Sequence, residues 1–175
     1  MIWSGKKTAE CIEGDKKIGP NGCDLKICEI AKIPDDAVIY IHDKKRGYLV
    51  NGEFKEQADV KKPLVPNKDG FYELTHGAYE VRIANKVNVP KNAVGIAFPR
   101  STFNRLGIIK SESAVWDSGY SGMGTSTIVV PLKKALIHKD EYWIQFVLFD
   151  AEESDKQYQG FYQGEERHQG KTQNP

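Results

Sequence analysis

The sequence predicts an all-β sandwich or barrel, and three observations carry that reading. Short runs rich in Val, Ile, Tyr and Phe recur along the chain with Gly, Pro and Asn between them. Several runs alternate apolar and polar residues with a period of two, which gathers one set of side chains on one face of a strand. After residue 20, no stretch of any length repeats its apolar residues at helical spacing.

The first 16 residues, MIWSGKKTAECIEGDK, are the exception and predict one short helix, with Ser4 as its cap and Ile2, Ala9 and Ile12 as its apolar contacts. Gly19-Pro20-Asn21-Gly22 is a strong turn signal, after which Leu25, Ile27 and Ile30 fall among polar neighbours in a strand-like way. AVIYI at 37–41 and GYLVNG at 47–52 are β-rich, and the second ends on Asn51-Gly52, the dipeptide of tight hairpins. The polar stretch 53–70 reads as a long loop or insertion. In the run from 71 to 90, Tyr79, Val81 and Ile83 share one face; NAVGIAF at 92–98 and STIVVPL at 126–132 follow. EYWIQFVLFD at 141–150 is the most apolar strand and is expected to be buried on both faces. From Ala151 the composition turns polar, which divides the chain into a β domain at 1–150 and a flexible tail at 151–175. Within that tail, aromatic residues alternate with glycine at 158–164, a pattern suited to a lid over a bound base.

At 175 residues the chain is long enough to bury a real core. Lys plus Arg number 25 against 24 Asp plus Glu, a net charge of +1 that argues against a nucleic-acid or membrane surface working through bulk charge. Phosphate binding would therefore need a local pocket. The three cysteines, Cys11, Cys23 and Cys28, cannot all pair within one chain and have no metal-ligand spacing, so reduced thiols in the cytoplasm are expected. No stretch has the pattern of a signal peptide or reaches the roughly 18 apolar residues of a membrane span. A soluble intracellular protein is expected.

The chemistry concentrates in FPRSTFNRLGIIKSESAVWDSGYSG, at 98–122. Pro99-Arg100-Ser101-Thr102 offers a guanidinium fork and two hydroxyls, which suits a bound phosphate. The segment 117–122 sets the carboxylate of Asp117 three residues before the ring of Tyr120, between glycines. A carboxylate can take a proton from water, and a ring can pack on a sugar or a base. Both residues also have purely structural readings: Asp117 could cap the amides of Gly119 or Tyr120, and Tyr120 could pack at a barrel rim. No His or carboxylate cluster has metal-ligand spacing, and surface positions account for the four scattered histidines.

Five stretches, in order, resemble the motifs of the trimeric dUTP diphosphatase and dCTP deaminase superfamily: Gly22-Cys23-Asp24-Leu25, Pro99-Arg100-Ser101-Thr102, 117–122, Ile144-Gln145-Phe146-Val147 and 158–164. The resemblance covers roughly residues 18–165. It implies a distorted, jelly-roll-like β-barrel, a homotrimer whose sites are shared between subunits, a deoxynucleoside triphosphate substrate, and Mg2+ carried by the triphosphate. It further implies that Asp24 orders the metal-triphosphate region, that Arg100, Ser101 and Gln145 hold phosphate with Thr102 beside them, and that Asp117 orients or deprotonates the attacking water. Tyr120 would pack on deoxyribose and crowd out a 2′-hydroxyl. Backbone of 111–115, from Ser111 to Val115, would read the base, and Phe161, Tyr162 and Gln163 would belong to the lid.

Some features lean toward the deaminases. Arg105 resembles the second arginine of their R-S-S-L-A-R-L-G pattern, and the tail resembles their G-K-Y-Q-G-Q ending. The tail lacks the arginine- and glycine-rich fifth motif of many diphosphatases, which leaves Arg167 or Lys171 to take its place. Trp116 stands where an aliphatic residue is common. The deaminases' glutamate, ten residues beyond the motif Asp, is here Thr127, whose hydroxyl cannot shuttle protons near neutral pH. The implied reaction is therefore dUTP plus water to dUMP and pyrophosphate. The alternatives are a dCTP deaminase or bifunctional enzyme with another proton shuttle, and a regulatory nucleotide-binding relative without turnover.

Overall fold

Ser4 does cap a helix: its Oγ accepts from the Lys7 amide at 3.3 Å. The computed structural model describes residues 1–43, 45–111, 114–153 and 156–166. The helix, α1, is Gly5–Ala9 and so is shorter than expected. Ile2 and Ile12, assigned to it from sequence, instead form bridges with Phe149 and Val87. The strands follow as β1 (Lys17–Ile18), β2 (Cys23–Lys32), β3 (Val38–His42), β4 (Lys45–Val50) and β5 (Glu53–Glu56), then a single turn of helix, α2 (Gln57–Val60). Beyond it lie β6 (Phe71–Ile83), β7 (Val87–Asn88), β8 (Ala93–Pro99), the short helix α3 (Ser101–Arg105), β9 (Ile109–Lys110), β10 (Ser121–Gly122), β11 (Thr125–His138) and β12 (Tyr142–Asp150).

The main sheet runs β8-β12-β2-β6-β11-β9, with β1 beside β2. Its pairings are antiparallel. One segment closes it into a barrel. The segment starts as β9, pairing Ile109 with Val129 and Lys110 with Ile128, and reaches Trp116, which bridges Gly95 on β8 at the opposite end of the order. The two residues exchange both backbone bonds, at 2.9 and 2.8 Å. Inward residues fill the barrel: Leu25 and Ile30 from β2, Tyr79 and Val81 from β6, Val130 from β11, and Phe146 and Leu148 from β12. Each such aliphatic or phenyl side chain contributes about 1.5–3 kcal/mol by leaving water. The alternation expected for Tyr79, Val81 and Ile83 and the heavy burial expected of 141–150 are both observed.

Two expectations are corrected. The stretch 53–70 is not a plain loop, because β5 extends the hairpin of β3 and β4 into a three-stranded sheet. Asn51 and Gly52 make its turn, both at positive φ, 52° and 81°, as a tight hairpin turn requires. Lys61 then tucks inward, its Nζ 2.6 Å from Glu80 and 3.0 Å from the amide oxygen of Gln57. The strand expected at 126–132 is twice that length, since β11 continues to His138 through a register shift between Val130 and Lys134. Pro131, which has no N–H for the ladder, sits in that irregularity.

Gly95 is fixed by close approach. A Cβ there would stand 2.4 Å from Cζ of the fully buried Phe146 and 3.1 Å from Cβ of Trp116. Gly95→Ala should overpack this joint and lower stability by about 1–3 kcal/mol, read from the shift of the denaturant midpoint at unchanged slope. Asp150 gives a pH signature. Its bond from the amino terminus, then that from the Trp3 indole at 2.7 Å, hold its carboxyl below the ordinary range. A depressed folded value means that this stabilisation is complete above about pH 4 and fades as pH falls through the folded value. Melting temperature followed downward from pH 6 should drop less steeply in Asp150→Asn than in the unaltered protein.

Candidate active site

Three neighbouring strands bring the first group of residues together. Gln145 on β12 is in register with Asp24 on β2 and with Phe98 on β8, two residues before Arg100. The Arg100 amide donates to the Trp143 carbonyl at 3.0 Å, which anchors the chain where it leaves the sheet. Its guanidinium is held on two sides: Nε is 3.0 Å from an Asp24 carboxylate oxygen, and Nη1 donates to the Tyr142 carbonyl at 3.3 Å. Nη2 has no partner among the described residues. The fork is thus oriented while part of it stays available to an anion. Gln145 Nε2 donates to the Asn21 carbonyl at 3.4 Å. The cluster expected to be a turn is the start of α3, where Ser101, Thr102 and Arg105 are exposed. Phe103 secures α3 against Trp143, ring centroids 4.9 Å apart.

The second group follows the closing bridge. Asp117 is exposed, and its carboxylate has no partner among the described residues. It does not cap the amides that a turn role would require: the Gly119 amide donates to the Val89 carbonyl and the Tyr120 amide to the backbone carbonyl of Asp117, both at 3.0 Å. Ser118 Oγ donates to the Ala93 carbonyl at 2.7 Å and pins the loop to the start of β8. Tyr120 is 7 % exposed, edge-on to Trp116 and to Tyr158 at 5.1 and 5.6 Å. Burial pushes its phenol well above the ordinary range, so near neutral pH it is protonated.

Within one chain the two groups are apart. Trp116 lies opposite Gly95, and Arg100 comes five residues further on. At about 3.3 Å per residue that is roughly 17 Å, longer than a triphosphate-to-water contact.

The tail segment 156–166 lies on the second group. The Tyr158 amide donates to the Ser118 carbonyl, the Gly164 amide to the Ser121 carbonyl, and the Met123 amide to the Glu165 carbonyl, at 2.7–2.9 Å. Gln163 accepts from the Ser121 amide at 3.1 Å and donates to the Gly119 carbonyl at 3.0 Å, so it serves the chain's own loop. Phe161, 90 % exposed, and Tyr162 point away, ring against ring. Sequence reasoning missed the anchor, Arg82, which is 3 % exposed. Its Nη1 is 2.7 Å from the Glu165 carboxylate and donates to the Met123 carbonyl at 3.0 Å. An arginine between Val81 and Ile83 in an otherwise apolar strand end was the available signal. Arg167 and Lys171 lie outside the described residues.

Ser111 and Val115 are exposed on the closing segment, whose residues 112 and 113 lie outside the described residues. Both the amide and the hydroxyl of Ser111 donate to the Thr127 carbonyl, at 2.8 and 3.2 Å. Thr127 faces Glu80 across the ladder, and that carboxylate is engaged by Lys61. Among the described residues no group of three His, Cys, Asp or Glu side chains could cage a metal, and no helix is long and apolar enough to cross a membrane.

A dCTP deaminase-like family model matches residues 2–151. The chain is 34% identical over 156 residues to the probable deoxyuridine 5′-triphosphate nucleotidohydrolase of Methanococcoides burtonii, covering 88% of this chain and 85% of that one. It is 29% identical over 150 residues to the deoxyuridine 5′-triphosphate nucleotidohydrolase of Methanocaldococcus jannaschii, covering 86% and 89%. Among solved structures, the 2′-deoxycytidine 5′-triphosphate deaminase of Agrobacterium tumefaciens superposes with a TM-score of 0.60 at 16% identity, over 84% of this chain and 47% of that one. That likeness shows a shared fold.

The docking of the tail yields a direct test. Glu165→Ala removes the carboxylate that meets Arg82, and tryptic cleavage after Lys156 should accelerate several-fold. Mass spectrometry of the timed digest reads the truncated chain.

Proposed function

The chain belongs to the dCTP deaminase-like family, and on that premise we propose that it is a dUTP diphosphatase, hydrolysing dUTP to dUMP and pyrophosphate. The observation that carries the choice of reaction is Thr127. Deaminases of the resembling superfamily hold a glutamate there, whereas this chain offers a hydroxyl that does not ionise near neutral pH and a neighbouring Glu80 already bonded to Lys61. Two curated relatives named as deoxyuridine triphosphate nucleotidohydrolases, similar over most of the chain, support the same assignment.

In this reading Asp117 accepts a proton from water as the water oxygen attacks the α-phosphorus. The bond from that phosphorus to the bridging oxygen breaks, and pyrophosphate leaves. Such a reaction needs alignment and charge neutralisation more than covalent help from the protein. Arg100, already oriented by Asp24, holds phosphate oxygens together with Ser101 and Gln145, while Thr102 and Arg105 line the approach. Tyr120 cannot compete as a base, since burial keeps its phenol protonated. Its ring, with Tyr158 and Trp116 around it, forms the wall against which deoxyribose packs. Backbone beside Ser111 and Val115 reads uracil, and the 156–166 segment with Phe161, Tyr162 and Gln163 closes over the nucleotide.

Asp24, a hard oxygen donor beside Arg100, fits a magnesium ion carried by the triphosphate. When bound, that ion neutralises phosphate charge. The roughly 17 Å between the two groups supports sites completed between subunits, hence a homotrimer in which Arg100 of one chain serves Asp117 of another. Among the described residues Cys11, Cys23 and Cys28 form no disulfide, which supports a reducing cytoplasm.

Chromatography after incubation with magnesium and dUTP, dCTP or dTTP separately, with pyrophosphate and ammonia assayed, tests the reaction. Pyrophosphate and dUMP from dUTP are expected; ammonia from dCTP would overturn the reading. Asp117→Asn should lower kcat at least about 100-fold, the contribution of a positioned base. A shared site makes a sharper forecast. Equimolar Asp117→Asn and Arg100→Ala chains, unfolded and refolded together, should regain about a quarter of full activity, because random assembly unites the two intact groups at that frequency. Recovery of none would place both residues of each site on one chain.

A further inference from the structure

The strand β3 has features that the barrel and its site do not use. It lies at the edge of the small sheet β3-β4-β5 and pairs only with β4 among the described residues. In an antiparallel ladder every second residue turns its N–H and C=O toward the neighbour, so the remainder of β3 turns its backbone groups outward. Its side chains are apolar on both faces. Val38 and Tyr40 share the face that carries Phe54, which meets the Tyr40 ring at 5.6 Å, while Ile39 and Ile41 share the other. Ile39 and Ile41 are each 72% exposed and Val38 59%. A flat, apolar, unpaired edge is what monomeric sheets avoid, by charge, proline or a bulge, and β3 has none of these between residues 38 and 41.

Charge indicates what covers it. Asp35 and Asp36 precede the strand, and Lys45 and Arg46 follow just past its hairpin turn, all exposed. The order acidic-apolar-basic is self-complementary when reversed. We propose that β3 is a two-fold interface, pairing antiparallel with β3 of a second copy of this chain into a continuous six-stranded sheet. A two-fold axis at Tyr40 sets Ile39 of one copy against Ile41 of the other, twice. It also brings Asp35 and Asp36 of each copy toward Lys45 and Arg46 at the start of its partner's β4. A parallel arrangement would set like charges together and is disfavoured. The contact doubles any ring-shaped assembly the barrels form, since an isologous axis adds to cyclic symmetry.

Sedimentation velocity on the full chain, at about 0.15 M salt to keep exposed pairs screened as in a cell, tests it. Ile39→Lys with Ile41→Lys sets lysines against lysines across the axis, and the particle mass should halve. Hydrolysis of dUTP per chain should persist, because β3 contributes no residue to the candidate site. Asp36→Lys alone should raise the midpoint concentration for dissociation about tenfold, since each of two symmetric attractions becomes a repulsion. Adding Lys45→Glu and Arg46→Glu to Asp36→Lys should restore it. An unchanged mass in the double lysine variant, or no restoration by the second reversal, overturns the interface and leaves the assignment of the reaction untouched.

Discussion

The joint between Gly95 and Trp116 is the constraint on which the rest depends. It closes the sheet, because the same segment pairs with β11 at its start and with β8 at its end. It is tight on both sides: no Cβ fits at Gly95, and one at Gly124 would stand 2.5 Å from the Trp116 ring. The indole then sets the next layer, lying edge-on to Phe146 in the core and to Tyr120 at the rim, each at 5.1 Å. An aliphatic residue would fill part of this volume without offering a flat wall to both rings. Trp116 therefore joins barrel, core and candidate site, and the loop bearing Asp117 begins one residue beyond it.

From that joint follows the separation of the proposed chemistry. β8 is a rigid rod with the Asp117 loop pinned at its start by Ser118 and the guanidinium of Arg100 leaving its end. Neither group can approach the other without breaking the ladder between β8 and β12. Each is instead prepared in place. Arg100 is restrained by Asp24 and the Tyr142 carbonyl, which lowers the entropy lost when it binds an anion, and Asp117 is kept out of the local amide bonding that would otherwise occupy it.

Much of this was legible in the sequence, for reasons that differ by element. The inward faces of β2 and β6 were readable because side-chain alternation is itself the signal, and Asn51-Gly52 because few other pairs tolerate two positive φ values. The motif residues stood out because phosphate contacts and proton transfer, the roles proposed for them, demand particular side chains. The rest failed where structure is made by backbone or by distant partners. β11 was cut short at Leu132, between Pro131 and the lysines that follow, although a sheet absorbs a proline at a register shift. The 53–70 stretch looked solvated because it is rich in charged residues, yet the Lys61 ammonium is buried against Glu80, 19 residues away in sequence. Apart from the Arg82–Glu165 ion pair and the Gln163 amide, the tail docks through backbone groups of Tyr158, Gly164 and Glu165, which leave no mark on residue type.

Acid–base assignment is where these strands of reasoning meet. Several groups near the second cluster could in principle hold a proton: Asp117, Tyr120, Glu165 and, across the barrel wall, Glu80. Burial removes Tyr120, whose phenol would have to ionise in an apolar setting beside a carboxylate. Glu165 is committed to Arg82 and Glu80 to Lys61, so neither carboxylate can take up a water without giving up an ion pair. Asp117 alone of these combines exposure with the absence of a cationic partner among the described residues. A base of that kind suits removal of a proton from water during attack on phosphorus, whereas delivering a proton to a ring nitrogen needs a group held protonated near neutral pH. In the proposed function Asp117 is the first, and Thr127 stands where the second would be.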